Sequence, residues 1–166
     1  MTEKHSERTR TVQWEDPRPL GESGLGSSGL EFLQKIVSGE LPQPPLARLL
    51  NFDLVEVSEG HAMFSVVPAE YHYNPIGVVH GGLAATLLDS AMGCAVHSTL
   101  PAGAGYTTLE IKVNFIRAMT GDTGRVRCEA KVVHVGARTA TAEGRVVDEA
   151  GKLYAHGTTT CLILRA

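Results

Sequence analysis

The sequence predicts an α+β domain in which an antiparallel sheet curls around one long central helix. Three observations lead there. Residues 81–98 form one long stretch that is apolar or small on all but a thin stripe, the pattern of a buried helix. Four segments after it, residues 106–116, 124–135, 139–148 and 153–164, have strand character and short separators rich in Gly, Asp and Ala. The first of these alternates, with Thr107, Leu109, Ile111, Val113 and Phe115 on one face and Thr108, Glu110, Lys112 and Asn114 on the other. One sheet face therefore wants a core, and one long apolar helix is available to supply it.

Taken in order, the elements are these. Residues 1–27 are polar, carry Pro17, Pro19 and a Gly/Ser stretch, and read as an extended or mobile arm. Residues 28–51 form an N-terminal helical segment. In it LEFLQKIV (residues 30–37) has helical spacing and stops at Ser38-Gly39, and Pro45 can open a short helix to Asn51. The main domain occupies residues 52–166. It starts with a hairpin, residues 53–58 and 61–67 joined at Glu59-Gly60, and continues through a loop at 68–79 into the central helix. The short turns between the later strands imply an antiparallel meander.

Bulk composition sets limits on function. With 43% hydrophobic and 20% charged residues the chain can build a real core. A net charge of −3 and the lack of any Lys/Arg run give no reason to expect nucleic acid or an anionic membrane as partner. Cys94, Cys128 and Cys161 are widely spaced, form no metal-ligand pattern, and read as small apolar fillers in a reduced compartment. MTEKHSERTRTVQWEDPRP has no apolar core that could act as a signal peptide, so a cytoplasmic location is expected. Residues 81–100 could be mistaken for a membrane span, but Asp89 falls near their middle, where a carboxylate would cost several kcal/mol in a bilayer.

The helix carries the chemistry. At about 100° per residue, Thr86, Asp89, Ser90, Gly93 and His97 share one narrow stripe. Asp89 lies about two turns in, too far to cap the helix, and no Lys or Arg three or four residues away pairs with it. A structural Asp held by hydrogen bonds and a general base or nucleophile are both consistent with that position. At the helix start, His80-Gly81-Gly82 combines unsatisfied first-turn N–H groups with a backbone that a ligand can approach closely. Such donors, backed by the helix dipole, suit an oxyanion or a polarised carbonyl.

Together the string NPIGVVHGGLAATLLD (residues 74–89) resembles the signature of hot-dog-fold thioesterases of the phenylacetate-pathway and 4-hydroxybenzoyl-CoA (Arthrobacter-type) groups. In those proteins an acidic residue follows the His of HGG by nine positions, as Asp89 follows His80. A Gln or Asn precedes that His by six, as Asn74 does here. YTTLEIKVNFIRA and GKLYAHGTTTCLIL resemble the strand after the helix and the last strand, so the likeness covers about residues 45–164. The resemblance implies hydrolysis of an acyl-CoA thioester to acid and thiol. Asp89 would be nucleophile or general base, and the Gly81 N–H would polarise the carbonyl. Asn74 would position the carbonyl or the water, and His80, the first residue of HGG, is counted with the catalytic residues. Thr108 would assist from the following strand, with Thr107 as the alternative if the register differs by one. It also implies no metal and no cofactor, coenzyme A entering only as part of the substrate. A homodimer would be the minimal active unit, with Asp89 and the HGG loop meeting across its interface, and a homotetramer the expected assembly.

Gly82, Thr107, Arg117 and Arg138 are the further candidates for substrate contacts, the arginines for phosphate groups of coenzyme A. Gly93 departs from the Arthrobacter-type pattern, which has a Thr there; this favours the phenylacetate-type reading and leaves the acyl pocket undefined. Two other functions stay open at this point. One is a non-catalytic acyl-CoA-binding module. The other is an acyl hydratase or dehydratase, whose HxxPxxPxG-type loop is absent here. A GxSxG nucleophile elbow and a P-loop are absent as well.

Overall fold

The computed structural model describes residues 7–165 of the chain; residues 1–6 of the arm lie outside them. Within the arm, α1 (Pro17–Gly26) is helical rather than extended. Pro17 stands in the first turn, where a missing N–H is no loss, and the Asp16 carboxylate accepts the Arg18 N–H. In α2 (Gly29–Ser38), Ser28 and Glu31 form a capping box, and α3 (Pro45–Leu50) ends on Asn51 in the left-handed conformation. Gly29 donates to the Leu100 carbonyl, which ties the start of α2 to the chain just beyond the central helix.

The six strands are β1 (Phe52–Ser58), β2 (His61–Val66), β3 (Ala104–Phe115), β4 (Val126–Val135), β5 (Thr139–Asp148) and β6 (Leu153–Arg165). They form one sheet in the order β1-β2-β4-β5-β6-β3, antiparallel throughout. The meander expectation holds for β4, β5 and β6, whose connections are short. It does not hold for β3, which lies at the far edge beside β6 while β4 pairs with β2. The connection of residues 116–125, with a 3-10 turn at Gly121–Thr123, is long enough to cross the sheet and releases β3 from β4.

The central helix α4 (Gly81–His97) touches all six strands, so the sheet curls around it as expected. Leu87, Leu88, Met92 and Val96 are fully buried, as are Val66, Val126, Cys128, Val146 and Cys161 of the strands around them. Burying each large aliphatic side chain stabilises the fold by roughly 1.5–3 kcal/mol, which makes this interface the main source of stability. All three cysteines are free, and burial drives the Cys94 thiol up to about 12. No described helix is long and apolar enough to cross a membrane.

One irregularity positions the site. The β3–β6 register shifts between Thr108 and Glu110, leaving Leu109 as an extra residue on β3. Such a bulge reverses which residues point inward on either side of it. Downstream, Ile111 and Val113 pack on the core as the alternation predicts. Upstream, Tyr106 and Thr108 face the helix instead of Thr107 and Leu109, and Leu109 is 58% exposed.

Candidate active site

His80 caps α4: its Nδ1 accepts the Gly82 N–H at 2.8 Å, and its carbonyl accepts the Leu83 N–H. A Cβ on Gly82 would lie 2.8 Å from that same Nδ1, so this cap requires glycine. Because Nδ1 is the acceptor, a neutral His80 carries its proton on Nε2. The remaining first-turn donor, the Gly81 N–H, has no acceptor among the described residues and points from the positive end of the helix.

The loop before the helix is fixed by its own hydrogen bonds. Asn74 Oδ1 accepts from Ile76 N–H at 3.1 Å and Val78 N–H at 3.3 Å, and the Asn74 N–H donates to the Val78 carbonyl. Val79 N–H reaches the Met119 carbonyl, and His80 N–H the His72 carbonyl. With its oxygen occupied, Asn74 has its side-chain NH2 left as the group able to contact a ligand.

Asp89 lies on the stripe identified from the sequence, and the stripe is open at Asp89 but closed at Gly93, which is buried. Leu83, Ala84, Leu87, Leu88, Ala91, Met92, Ala95 and Val96 are buried, whereas Gly82 and Asp89 are exposed on the open side of α4. Thr108 Oγ1 donates to Asp89 Oδ1 at 2.9 Å, a charge-assisted bond that holds the carboxylate toward β3. Thr107 lies on the outer face, exposed and away from Asp89. Gly93, one turn beyond, is covered by the Tyr106 ring.

Gly81 and Asp89 are eight residues apart on one straight helix, about 12 Å at 1.5 Å per residue. A base and an oxyanion donor must both reach a single carbonyl, with donors about 3 Å from the oxygen. Within one protomer they cannot. The two arginines are also separated. Arg117 donates to the Leu153 carbonyl at 2.7 Å and lines a cavity of about 360 Å³ with Gly81, Ala84 and Phe115 at the start of α4. Arg138 sits in the β4–β5 turn, where its carbonyl accepts from Ile163, which pairs with Tyr106 near the other end of β3.

The sequence reading missed Tyr106 and the exposed Ile76 (83% exposed) and Ile116 beside the site, and it put Phe115 on the core-facing side of its strand, whereas Phe115 is 59% exposed. The aromatic residues at both ends of β3 were visible in the sequence, but the bulge that decides their facing was not. Among the described residues, no three His, Cys, Asp or Glu side chains come together as a metal site.

A family model described as the thioesterase superfamily matches residues 76–155. A Halobacterium salinarum protein provisionally named an esterase is 43% identical over 76 residues, 45% of this chain and 48% of that one. The chain thus spans about half the length of that relative. A second provisional esterase, from Archaeoglobus fulgidus, is 32% identical over 110 residues, covering 66% and 69% of the two chains. The 1,4-dihydroxy-2-naphthoyl-CoA hydrolase of Listeria monocytogenes is 26% identical over 108 residues, covering 65% and 86%. Among solved structures, a phenylacetic acid degradation-related protein of Ralstonia eutropha superposes with a TM-score of 0.70 at 29% identity, covering 78% of this chain and 98% of that one.

Proposed function

Starting from a chain that belongs to the thioesterase superfamily, we propose that it hydrolyses an acyl-CoA thioester at a site shared by two copies of itself. The observation that carries this reading is that an exposed, Thr108-held Asp89 and a Gly81 N–H with no acceptor among the described residues stand about 12 Å apart on the same helix. Two antiparallel copies bring one copy's Asp89 to the other's Gly81. The unpaired edge of β3, with Leu109 and Phe115 exposed on the strand and Ile116 just beyond it, is the surface such a pairing would cover. A dimer is the smallest active unit, and a homotetramer of two such dimers is the assembly proposed.

The chemistry follows from the groups. The Gly81 N–H donates to the thioester oxygen and stabilises the negative charge that develops there. Asp89 either takes the proton of an attacking water or attacks the carbonyl carbon itself, forming an anhydride that water then opens. In both routes a C–O bond forms, the C–S bond breaks, and the thiol leaves with a proton. Thr108 keeps one carboxylate oxygen oriented, Asn74 Nδ2 and His80 Nε2–H stand by the loop as further donors, and Arg117 offers a cation near the Gly81 end.

The test is thiol release from a panel of short, long and aryl acyl-CoAs by wild type and Asp89→Ala. Loss of two or more orders of magnitude in a folded variant is the expected result. Activity that survives the substitution contradicts the role of Asp89. Binding of acyl-CoA without hydrolysis by wild type assigns the chain to the binding-module alternative.

A further inference from the structure

On the hydrolytic reading, a thioester whose oxygen sits at the Gly81 N–H sends two arms away from its carbonyl, an apolar acyl group and the phosphate-bearing coenzyme A. Two cavities flank the start of α4. One, of about 350 Å³, lies between Gly82, Leu83 and Thr86 of the helix, Tyr71 and Tyr73 of the loop before it, and Leu50 of α3. The other, of about 360 Å³, holds Arg117 beside Gly81, Ala84 and Phe115. Charge separates them. Among the described residues the first has no Lys, Arg, Asp or Glu in its lining, whereas the second holds a guanidinium, a group suited to phosphate. Direction agrees: around α4, Gly82 and Thr86 stand about 20° and 60° from Asp89, but Ala84 about 140° from it. In the antiparallel pairing the Asp89 face is turned to the partner, so the first cavity lies on the reacting side.

The far side of that cavity is built outside residues 76–155, the part that matches the family model. Leu50 is the last residue of α3, and Tyr71 belongs to a 3-10 turn, Glu70–His72. The N-terminal arm fastens both. Arg10 donates to the Leu49 carbonyl at 2.7 Å and the Arg48 carbonyl at 3.1 Å, acceptors that the end of a helix leaves open. The same guanidinium lies 4.1 Å from the centre of the Tyr71 ring. Arg8 donates to the Glu70 carboxylate at 2.8 Å, next to Tyr71 in the chain. The Tyr71 ring also meets the His72 ring, 4.3 Å between centres, and His72 is tied to the Leu50 carbonyl. A tyrosine that is 45% exposed is thus held between a guanidinium and an imidazole.

We propose that the cavity between α3, the 3-10 turn and the start of α4 takes the acyl group, and that Tyr71, clamped by Arg10 of the N-terminal arm, is the wall that limits its length. A volume of about 350 Å³ is at the small end for ligand pockets, which suits a short or medium acyl chain and not a long one. Arg10 is a positioning residue: it does not line the cavity and acts by holding the ring that does. The arm acquires a function by this account, since it helps to choose the substrate.

The experiment compares kcat/KM for butanoyl-, octanoyl- and hexadecanoyl-CoA among wild type, Tyr71→Ala, Tyr71→Phe, Leu50→Ala, Arg10→Ala, Arg10→Lys and Arg117→Ala. Folding is checked by circular dichroism and assembly by gel filtration. Wild type is expected to prefer butanoyl- or octanoyl-CoA. Opening the wall in Tyr71→Ala or Leu50→Ala should raise the hexadecanoyl-to-butanoyl ratio by about tenfold or more, since single methylenes in apolar pockets are discriminated by that much. Arg10→Ala should shift the ratio the same way by less. Arg10→Lys keeps a cation on the ring and should return the ratio toward wild type. Tyr71→Phe should leave the ratio unchanged because the ring, not the hydroxyl, is the barrier, and Arg117→Ala should raise KM for all three substrates alike. A folded Tyr71→Ala or Leu50→Ala with the wild-type ratio overturns the proposal, as does a wild type that prefers hexadecanoyl-CoA. A ratio moved by Arg117→Ala instead would place the acyl group in the other cavity, and an Arg10→Ala ratio equal to wild type would overturn the clamp. A wild type that hydrolyses none of the three overturns the hydrolytic reading itself, and the acyl site with it.

Discussion

Replacing Gly81 by proline removes a single functional group, the N–H held to polarise the thioester carbonyl. The backbone accepts the change. Gly81 is the first residue of α4, where proline is favoured, and His80 already has φ −60° and ψ 132°, the extended conformation required before a proline. The new Cβ would lie 3.2 Å from the Phe115 ring, which is 59% exposed and free to turn outward. Gly81→Ala introduces the same Cβ and keeps the N–H, so it isolates the donor from the steric change. Loss of one oxyanion donor typically lowers kcat by about 10²–10³, or about 2.7–4 kcal/mol of transition-state stabilisation. In a thiol-release assay on the best acyl-CoA, Gly81→Pro is therefore expected about a hundredfold or more below Gly81→Ala. Melting temperatures of the two should be close. Equal kcat/KM for the two variants would refute the assignment of the Gly81 N–H.

Three further outcomes follow from the geometry. Thr108→Val removes the bond to Asp89 Oδ1, and hydrogen bonds to charged groups are worth about 1.5–3 kcal/mol, so kcat should fall by roughly ten- to a hundredfold. A wild-type kcat in the variant would show that Asp89 needs no support from β3. Gly93→Ala forces its methyl into Tyr106 and should destabilise the fold by about 1–3 kcal/mol in urea melts, a loss largely relieved in Gly93→Ala/Tyr106→Ala; strict additivity of the two substitutions would contradict the contact. His72 accepts the Ala69 N–H at Nδ1, and its Nε2 lies 2.7 Å from the Leu50 carbonyl, so burial holds it neutral, with its affinity for a proton below the usual 6.5. The unfolded chain takes up that proton first as the pH falls. Stability supplied by neutral His72 is therefore complete above about pH 6.5 and is lost as the pH drops below it. Melts from pH 8 to 5 should show a shallower decline for His72→Asn than for wild type, and an equal slope would exclude this role.

What the sequence revealed and what it hid have distinct physical causes. The long helix, the hairpin and the strand boundaries rest on hydrophobic period and turn residues, which are local properties, and they agree with the structure to within a few residues. The spacing of Asn74, His80 and Asp89 was legible for the same reason: it lies on one loop and one helix. The position of β3 beside β6 was not, because strand neighbours depend on where a ten-residue connection crosses the sheet. Nor was the facing of Thr108 against Thr107 decidable from alternation, since the bulge at Leu109 reverses it within an unbroken run of β-formers. Reading Pro17 and Pro19 as extended chain missed that a capped proline can open a helix. The exposure of Asp89 depends on how far the sheet wraps the helix, which no local pattern encodes.

The central claim is that each active site joins Asp89 of one copy to Gly81 of another, and subunit mixing tests it most directly. Asp89→Ala and Gly81→Pro are each expected to be nearly inactive alone. Unfolded together and refolded as an equal mixture, they should form mixed dimers in which one of the two sites regains both groups. That restores about one quarter of wild-type activity, because half of the dimers are mixed and half of their sites are intact. Activity at that level, appearing only after exchange, is the result expected here. A mixture no more active than its two components, with mixed dimers shown to be present, would contradict the shared site.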